Sequence, residues 1–363
     1  MKFMRIMTVA LAALGLPALA HAEDRVVNVY NWSDYIDSSI LEDFTKETGI
    51  KVVYDVFDNN ETLETKLLAG GTGYDVVVPS GDFLQRQIQA GVFQKLDKSK
   101  LPNLSNMWDL INQRTATYDP GNEYAIDYMW GTTGIGYNVK KLKEITGSDT
   151  PPDWDVIFKP ENAAKFKDCG IYMLDAPKEV LAAALNYLGL DPNSHKIDDI
   201  NKAGEVLAGV RPYVRKFHSS EYINALANGD ICLALGWSGD IFQARNRAAE
   251  AKAGVEVGYV IPKQGAQMWF DMMAIPADAP HVAEAHEFLN YMMKPEVIAK
   301  ASNYVFYANG NKASQAFIDK AILDDKAIYP TDDVMGKLFT VTPYDQKTQR
   351  QVTRLWTKIV SGQ

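Results

Sequence analysis

Short apolar runs alternate along the chain with segments whose apolar residues recur at helical spacing. Val26-Val27-Asn28-Val29-Tyr30 predicts a strand. Ser38 or Ser39 can cap a following helix whose apolar face is Ile40, Leu41 and Phe44, and Gly49 can end it. Residues 50–53 read as the next strand. Leu63 and Leu67 mark a second helix closed by Gly70, Gly71 and Gly73, and Asp75-Val76-Val77-Val78 is an apolar strand broken by Pro79-Ser80-Gly81. A third helix runs toward Gly91. Strand, helix, strand with short links predicts parallel βαβ units, and uninterrupted apolar strands predict a sheet covered on both faces.

A second set of the same kind follows. Residues 171–174 read as a strand before an Ala- and Leu-rich helix at about 179–188, and 231–235 as a buried strand before a helix at about 241–252. Strands return at 256–261 and 268–275, and Val282, Ala285, Phe288, Leu289 and Met292 give a helix with a broad apolar face. Gly131-Thr132-Thr133-Gly134-Ile135-Gly136 has the wrong order for a dinucleotide loop and reads as a crossover where backbone freedom is useful. The class is α/β with two lobes, the expected number of domains for about 340 mature residues. Two sheets, one per lobe, are expected to share a crevice beyond the carboxyl ends of their strands, where open α/β sheets bind ligands.

Lys2 and Arg5, an apolar run to Leu16 and then Ala20-His21-Ala22 form a secretory leader, with cleavage expected before Glu23. The run is too short to span a bilayer. The leader holds two of the 37 basic residues and none of the 46 acidic ones, which leaves 35 against 46, a net charge of −11. That balance argues against nucleic acid, whose phosphates need basic clusters, and suits the steering of cations. Cys169 and Cys232 are a disulfide candidate in an oxidising compartment, with two buried free thiols as the alternative.

Candidate chemistry repeats at the strand ends. Asn31-Trp32-Ser33-Asp34-Tyr35, Gly236-Trp237-Ser238-Gly239-Asp240 and Trp269-Phe270-Asp271 each place an indole within three residues of a carboxylate. A site for a small organic polycation needs carboxylates near each nitrogen, aromatic faces along the methylenes and hydroxyls for the remaining N–H donors. Asp34, Asp240, Asp271 and Glu179 can supply the first, Trp32, Tyr35, Trp237, Trp269 and Phe270 the second, and Ser33, Ser80 and Tyr307 the third. Each residue also has a plainer reading. Asp240 can cap a helix, Ser33 and Asp34 can organise a turn, and Glu179 can complement a helix dipole. Trp108, Trp130, Trp154 and Trp356 lack the arrangement and read as packing residues. His281 and His286 read as neighbours on one solvated helix. No zinc-protease, nucleophile-elbow or phosphate-loop motif is present in the sequence, so neither a catalytic residue nor a cofactor or metal site is expected.

At these residues the chain resembles the periplasmic polyamine-binding proteins of ABC importers, closest to the putrescine-receptor branch. The stretches that carry the likeness are Tyr30 to Tyr35, residues 44–57, Val77-Val78-Pro79-Ser80, residues 128–138, Leu174-Asp175-Ala176-Pro177, Phe217-His218-Ser219-Ser220, residues 228–240 and Val305-Phe306-Tyr307-Ala308-Asn309. The resemblance implies discontinuous lobes joined by crossing strands, with residues 26–131 and 253–303 in one and 132–252 and 304–363 in the other. It implies hinge closure around the ligand. It also implies an aromatic box of Trp32, Tyr35, Trp237, Trp269 and Tyr307, with Ser33, Asp34, Ser80, Glu179, Asp240 and Asp271 as polar contacts and a Cys169–Cys232 bridge. Two positions depart from the putrescine pattern. Trp269 stands where putrescine-preferring relatives tend to have Phe and spermidine-preferring ones tend to have Trp, and Asp82 stands where small polar residues are usual, offering an acid to a third amine or merely capping a helix. The expected role is capture of putrescine, spermidine or both by a monomer, and delivery to membrane permease subunits. Receptors for agmatine or cadaverine, a ligand-loaded sensor and, further off, an amine-processing enzyme are the alternatives.

Overall fold

The computed structural model describes residues 25–252 and 254–362. The leader therefore lies outside the described residues. Ten strands pair in one continuous sheet among them: β1 (Val26–Trp32), β2 (Lys51–Phe57), β3 (Val76–Val77), β4 (Ala125–Asn138), β5 (Ile171–Met173), β6 (Val214–Phe217), β7 (Leu233–Trp237), β8 (Val257–Val260), β9 (Gln267–Ala274) and β10 (Ala308–Asn309). The order is β2-β1-β3-β9-β4-β7-β5-β6, with β8 and β10 also on β4. The expectation of two separate sheets is corrected by β4. Its fourteen buried residues pair with β9 along the first part and with β7 and β8 along the second, so one strand belongs to both halves.

The parallel units appear where the apolar pattern put them. β1 pairs in parallel with β2 and β3, and β5 with β6 and β7. The helix Ser38–Thr48 buries Ile40 and Phe44 and ends on Gly49 at φ 73°, a left-handed position that glycine adopts without Cβ strain. Its cap is Asp37 rather than Ser38 or Ser39: the Ser39 amide donates to Asp37 Oδ1 at 2.9 Å. A carboxylate competes well for that amide because the helix end carries partial positive charge.

The apolar side chains form two cores. The first gathers residues of 27–130 and 268–328 together with Phe242, and the second residues of 135–266 and 344–359. Val305, Tyr307 and Ala308 thus pack into the first core, whereas the resemblance implies a second lobe that takes in all of 304–363. Two lobes joined by crossing strands result. Gly131 sits at the crossing, but its φ is not left-handed, and room rather than backbone freedom explains it. A Cβ there would lie 2.7 Å from the Trp269 ring and 2.9 Å from the Tyr307 ring.

Cys169 and Cys232 are joined by a disulfide, with Cα atoms 5.5 Å apart, just before the paired starts of β5 and β7. The histidine reading is corrected. His281 precedes the helix Val282–Met292 and lies 3.0 Å from Asp75, while His286 is buried. The His286 ring donates from Nδ1 to the Val282 carbonyl and accepts the Asp97 amide at Nε2, so a polar side chain is satisfied on what the pattern showed as a wet face. No described helix is long and apolar enough to cross a membrane.

Candidate functional site

The two cores meet around a cavity of about 440 Å³ of non-atom space, the open solvent at its mouth included. Strand ends deliver most of its wall. Trp32 closes β1, Ser33 and Tyr35 follow it, Trp237 closes β7, and Trp269 and Asp271 share one face of β9. Glu179 and Asp240 lie in the first turns of the helices Pro177–Tyr187 and Ser238–Ala251. Partial positive charge at a helix N-terminus favours a carboxylate there.

Each of the three central acids is held by two side-chain donors. Tyr222 and Tyr307 donate to Asp240 at 2.7 and 2.8 Å. Tyr35 and Ser80 donate to Asp271 at 2.8 and 2.6 Å. Thr133 and the Trp237 indole donate to Glu179 Oε2 at 2.8 and 3.0 Å. Burial pushes all three carboxyls up to about 7, and the donors only partly oppose it. Two basic side chains reaching across between the cores are engaged elsewhere: Arg247 pairs with Asp34 at 2.9 Å and Lys178 with Asp82 at 3.0 Å. Such acids gain most from a guest that brings its own positive charge.

The aromatic rings set the shape. Trp32 meets Trp237 edge-on, with centroids 5.5 Å apart at 77°, one ring from each side of the cleft. Trp32 also tilts against Phe57, and Tyr307 meets Tyr35 and Trp269 at 5.4 and 5.1 Å. The Trp32 indole donates to the Val78 carbonyl at 2.9 Å, which fixes its ring. Gly239 leaves space for Tyr307, whose ring a Cβ there would meet at 2.5 Å. Rings held this way present walls of fixed geometry suited to methylenes and to cations over a π-face.

Ten of the residues singled out from sequence line this cavity: Trp32, Ser33, Tyr35, Ser80, Glu179, Trp237, Asp240, Trp269, Asp271 and Tyr307. Three do not. Phe270 points to the opposite face of β9, buried near Tyr118, because side chains alternate along a strand. Asp34 has φ 55°, which turns its carboxylate out to Arg247. Asp82 borders an adjoining chamber instead. Four lining residues were missed: Phe57, Asp58, Ser219 and Ser220. All lie at or just past the carboxyl ends of β2 and β6, so the strand-end rule, applied to every strand, would have found them. Trp154 and Trp130 are buried in the cores, and Trp356 donates to Asp175, away from the cavity. Among the described residues no group of three or more His, Cys, Asp or Glu is placed to hold a metal ion.

A two-lobed α/β fold with one buried, acid- and aromatic-lined cavity between its halves defines a receptor for a small solute. Residues 39–331 match the family described as bacterial extracellular solute-binding protein, and the chain belongs to that family. It is 55% identical over 355 residues to the putrescine-binding periplasmic protein PotF of Escherichia coli, covering 97% of this chain and 96% of the relative. It is also 55% identical over 342 residues to the putrescine-binding periplasmic protein SpuD of Pseudomonas aeruginosa, covering 94% and 93%. Among solved structures, the spermidine/putrescine ABC transporter substrate-binding protein PotD of Streptococcus pneumoniae matches with a TM-score of 0.75 at 30% identity, covering 93% of this chain and 99% of that one.

Proposed function

We propose that this protein is a periplasmic receptor that captures a polyamine, putrescine or spermidine, and delivers it to the membrane permease subunits of an ABC importer. The carrying observation is that Glu179, Asp240 and Asp271 converge on one aromatic-walled cavity without an ion pair to any of them among the described residues. The protonated ends of an aliphatic diamine supply the charge those acids lack, and its methylenes lie along the Trp and Tyr faces. Ser33, Ser80 and Tyr307 add hydroxyls for the remaining N–H donors. The names of the putrescine-binding relatives agree with this ligand class.

The function is binding and release by a monomer, with no covalent step. The lobes are drawn from the two cores, and the ligand closes them by engaging Asp271 on one side and Glu179 and Asp240 on the other. Titration calorimetry with putrescine, spermidine, agmatine, cadaverine and a neutral diol tests the reading. Saturable one-to-one binding of at least one of the first two, and none of the diol, is expected. Absence of heat with every amine contradicts it.

A further inference from the structure

A second chamber of about 430 Å³ adjoins the first and shares Trp32, Ser80, Glu179, Trp237 and Trp269 with it. It holds a charge arrangement that capture of a diamine does not use. Lys178 and Asp82 reach into it from the first turns of helices on opposite cores, Pro177–Tyr187 and Gly81–Gln89, and meet at 3.0 Å with about nine-tenths of each side chain covered. The Lys178 ammonium also donates to the Thr342 carbonyl and lies 5.1 Å over the Tyr344 ring. A cation in the first turn of a helix is disfavoured by the helix dipole, and burial lowers the Lys178 pKa further, with Asp82 opposing. An ammonium kept there against both effects is a positioned charge.

We propose that the Lys178 ammonium occupies the place that a third ligand ammonium would take in the second chamber, and so restricts this receptor to diamines. The inference rests on the polyamine reading above and narrows it. A triamine lying through both chambers needs an acid in the second. Asp82 already has its cation, and Glu179 is shared with the first chamber and serves the diamine there. Glu61 on the rim has an exposed side chain whose carboxyl is raised by desolvation to about 7, so it offers a third ammonium only a partly ionised partner. Displacing Lys178 from Asp82 leaves its buried ammonium without its anionic partner, and accommodating both cations sets like charges side by side.

The test is calorimetry with putrescine and spermidine on the wild type, Lys178→Met and the double variant Lys178→Met/Asp82→Asn, each checked for folding by a melt without amine. The wild type is expected to prefer putrescine by about tenfold or more. Lys178→Met is expected to bind spermidine about ten- to hundredfold more tightly, the scale of one charge-assisted hydrogen bond gained, with putrescine within about threefold. The double variant is expected to lose that gain. Spermidine affinity that is unchanged or lower in Lys178→Met, with putrescine binding intact, overturns the proposal and leaves the diamine receptor standing. Binding of neither amine by the wild type overturns both. If Lys178→Met does not fold, Lys178→Gln makes the same comparison, and a wild type that binds the two amines equally also overturns the proposal.

Discussion

Replacing Asp240 by Asn separates a binding role from a structural one, because the two roles predict opposite effects. The carboxylate accepts from Tyr222 and Tyr307 and faces the cavity from the first turn of its helix. Asn keeps one acceptor oxygen and nearly the same shape but loses the charge. In a closed cleft, losing the anionic partner of a ligand ammonium costs about 2–4 kcal/mol, or roughly 30- to 700-fold in Kd for putrescine. Without ligand the balance differs. Burial already pushes this carboxyl up to about 7, so near neutral pH the native fold holds a charge it does not favour. Asn removes that cost, gives up a helix-dipole contribution of about 0.3–1 kcal/mol, and leaves one of the two buried tyrosine hydroxyls without its acceptor at about 1–3 kcal/mol, so the terms nearly cancel. The ligand-free Tm at pH 8 should therefore stay within about 2 °C of wild type or rise. Calorimetry and differential scanning calorimetry read the two quantities. An unchanged Kd together with a Tm lowered by several degrees would make Asp240 a structural cap and refute the reasoning.

Asp240 and Asp271 both have folded values raised to about 7 from an ordinary 3.8, so the native state holds protons that the unfolded chain releases. Their contribution to ligand-free stability is present in full below about pH 4 and is lost as pH rises through about 7, at most about 4 kcal/mol for each group; a melting temperature independent of pH between 5 and 8 contradicts this. Putrescine affinity should move the other way, tightening from pH 5 to pH 8 as the acids ionise, and calorimetry at the two values reads the sign. Trp237→Ala removes one aromatic wall and a donor to Glu179, and should weaken putrescine by about 1–2 kcal/mol while leaving the far-ultraviolet circular dichroism spectrum unchanged. Reducing the Cys169–Cys232 bridge, whose partners are 63 residues apart, should cost about 4 kcal/mol in the chain-entropy account, seen as a Tm several degrees lower in reductant.

What could be read from the sequence was local. The apolar runs mark β1, β2, β3, β5, β7, β8 and β9 but not β4, β6 or β10, and the strand-end rule places Trp32, Ser80 and Trp237 on one crevice. The same period of two that joins Trp269 to Asp271 should have excluded Phe270. Asp34 escaped because its left-handed φ redirects a side chain that the motif alone aims inward. Contacts between distant residues were hidden. Tyr307 reaches Asp240 across 67 residues and Lys178 reaches Asp82 across 96, and no periodicity encodes such pairings. Gly131 shows the same limit. Its composition suggested backbone freedom, while its task is to admit the Trp269 and Tyr307 rings, a steric demand visible only once β4 and β9 are paired.

The central claim is that acids and rings from both cores enclose one protonated aliphatic amine, and a crystal structure grown with excess putrescine tests it most directly. The account predicts a single extended diamine with its nitrogens within hydrogen-bond reach of the Glu179, Asp240 and Asp271 carboxylates and its carbons against Trp32, Trp237 and Trp269. A cleft without amine density at saturating ligand, or a diamine bound on the outer surface, would contradict it.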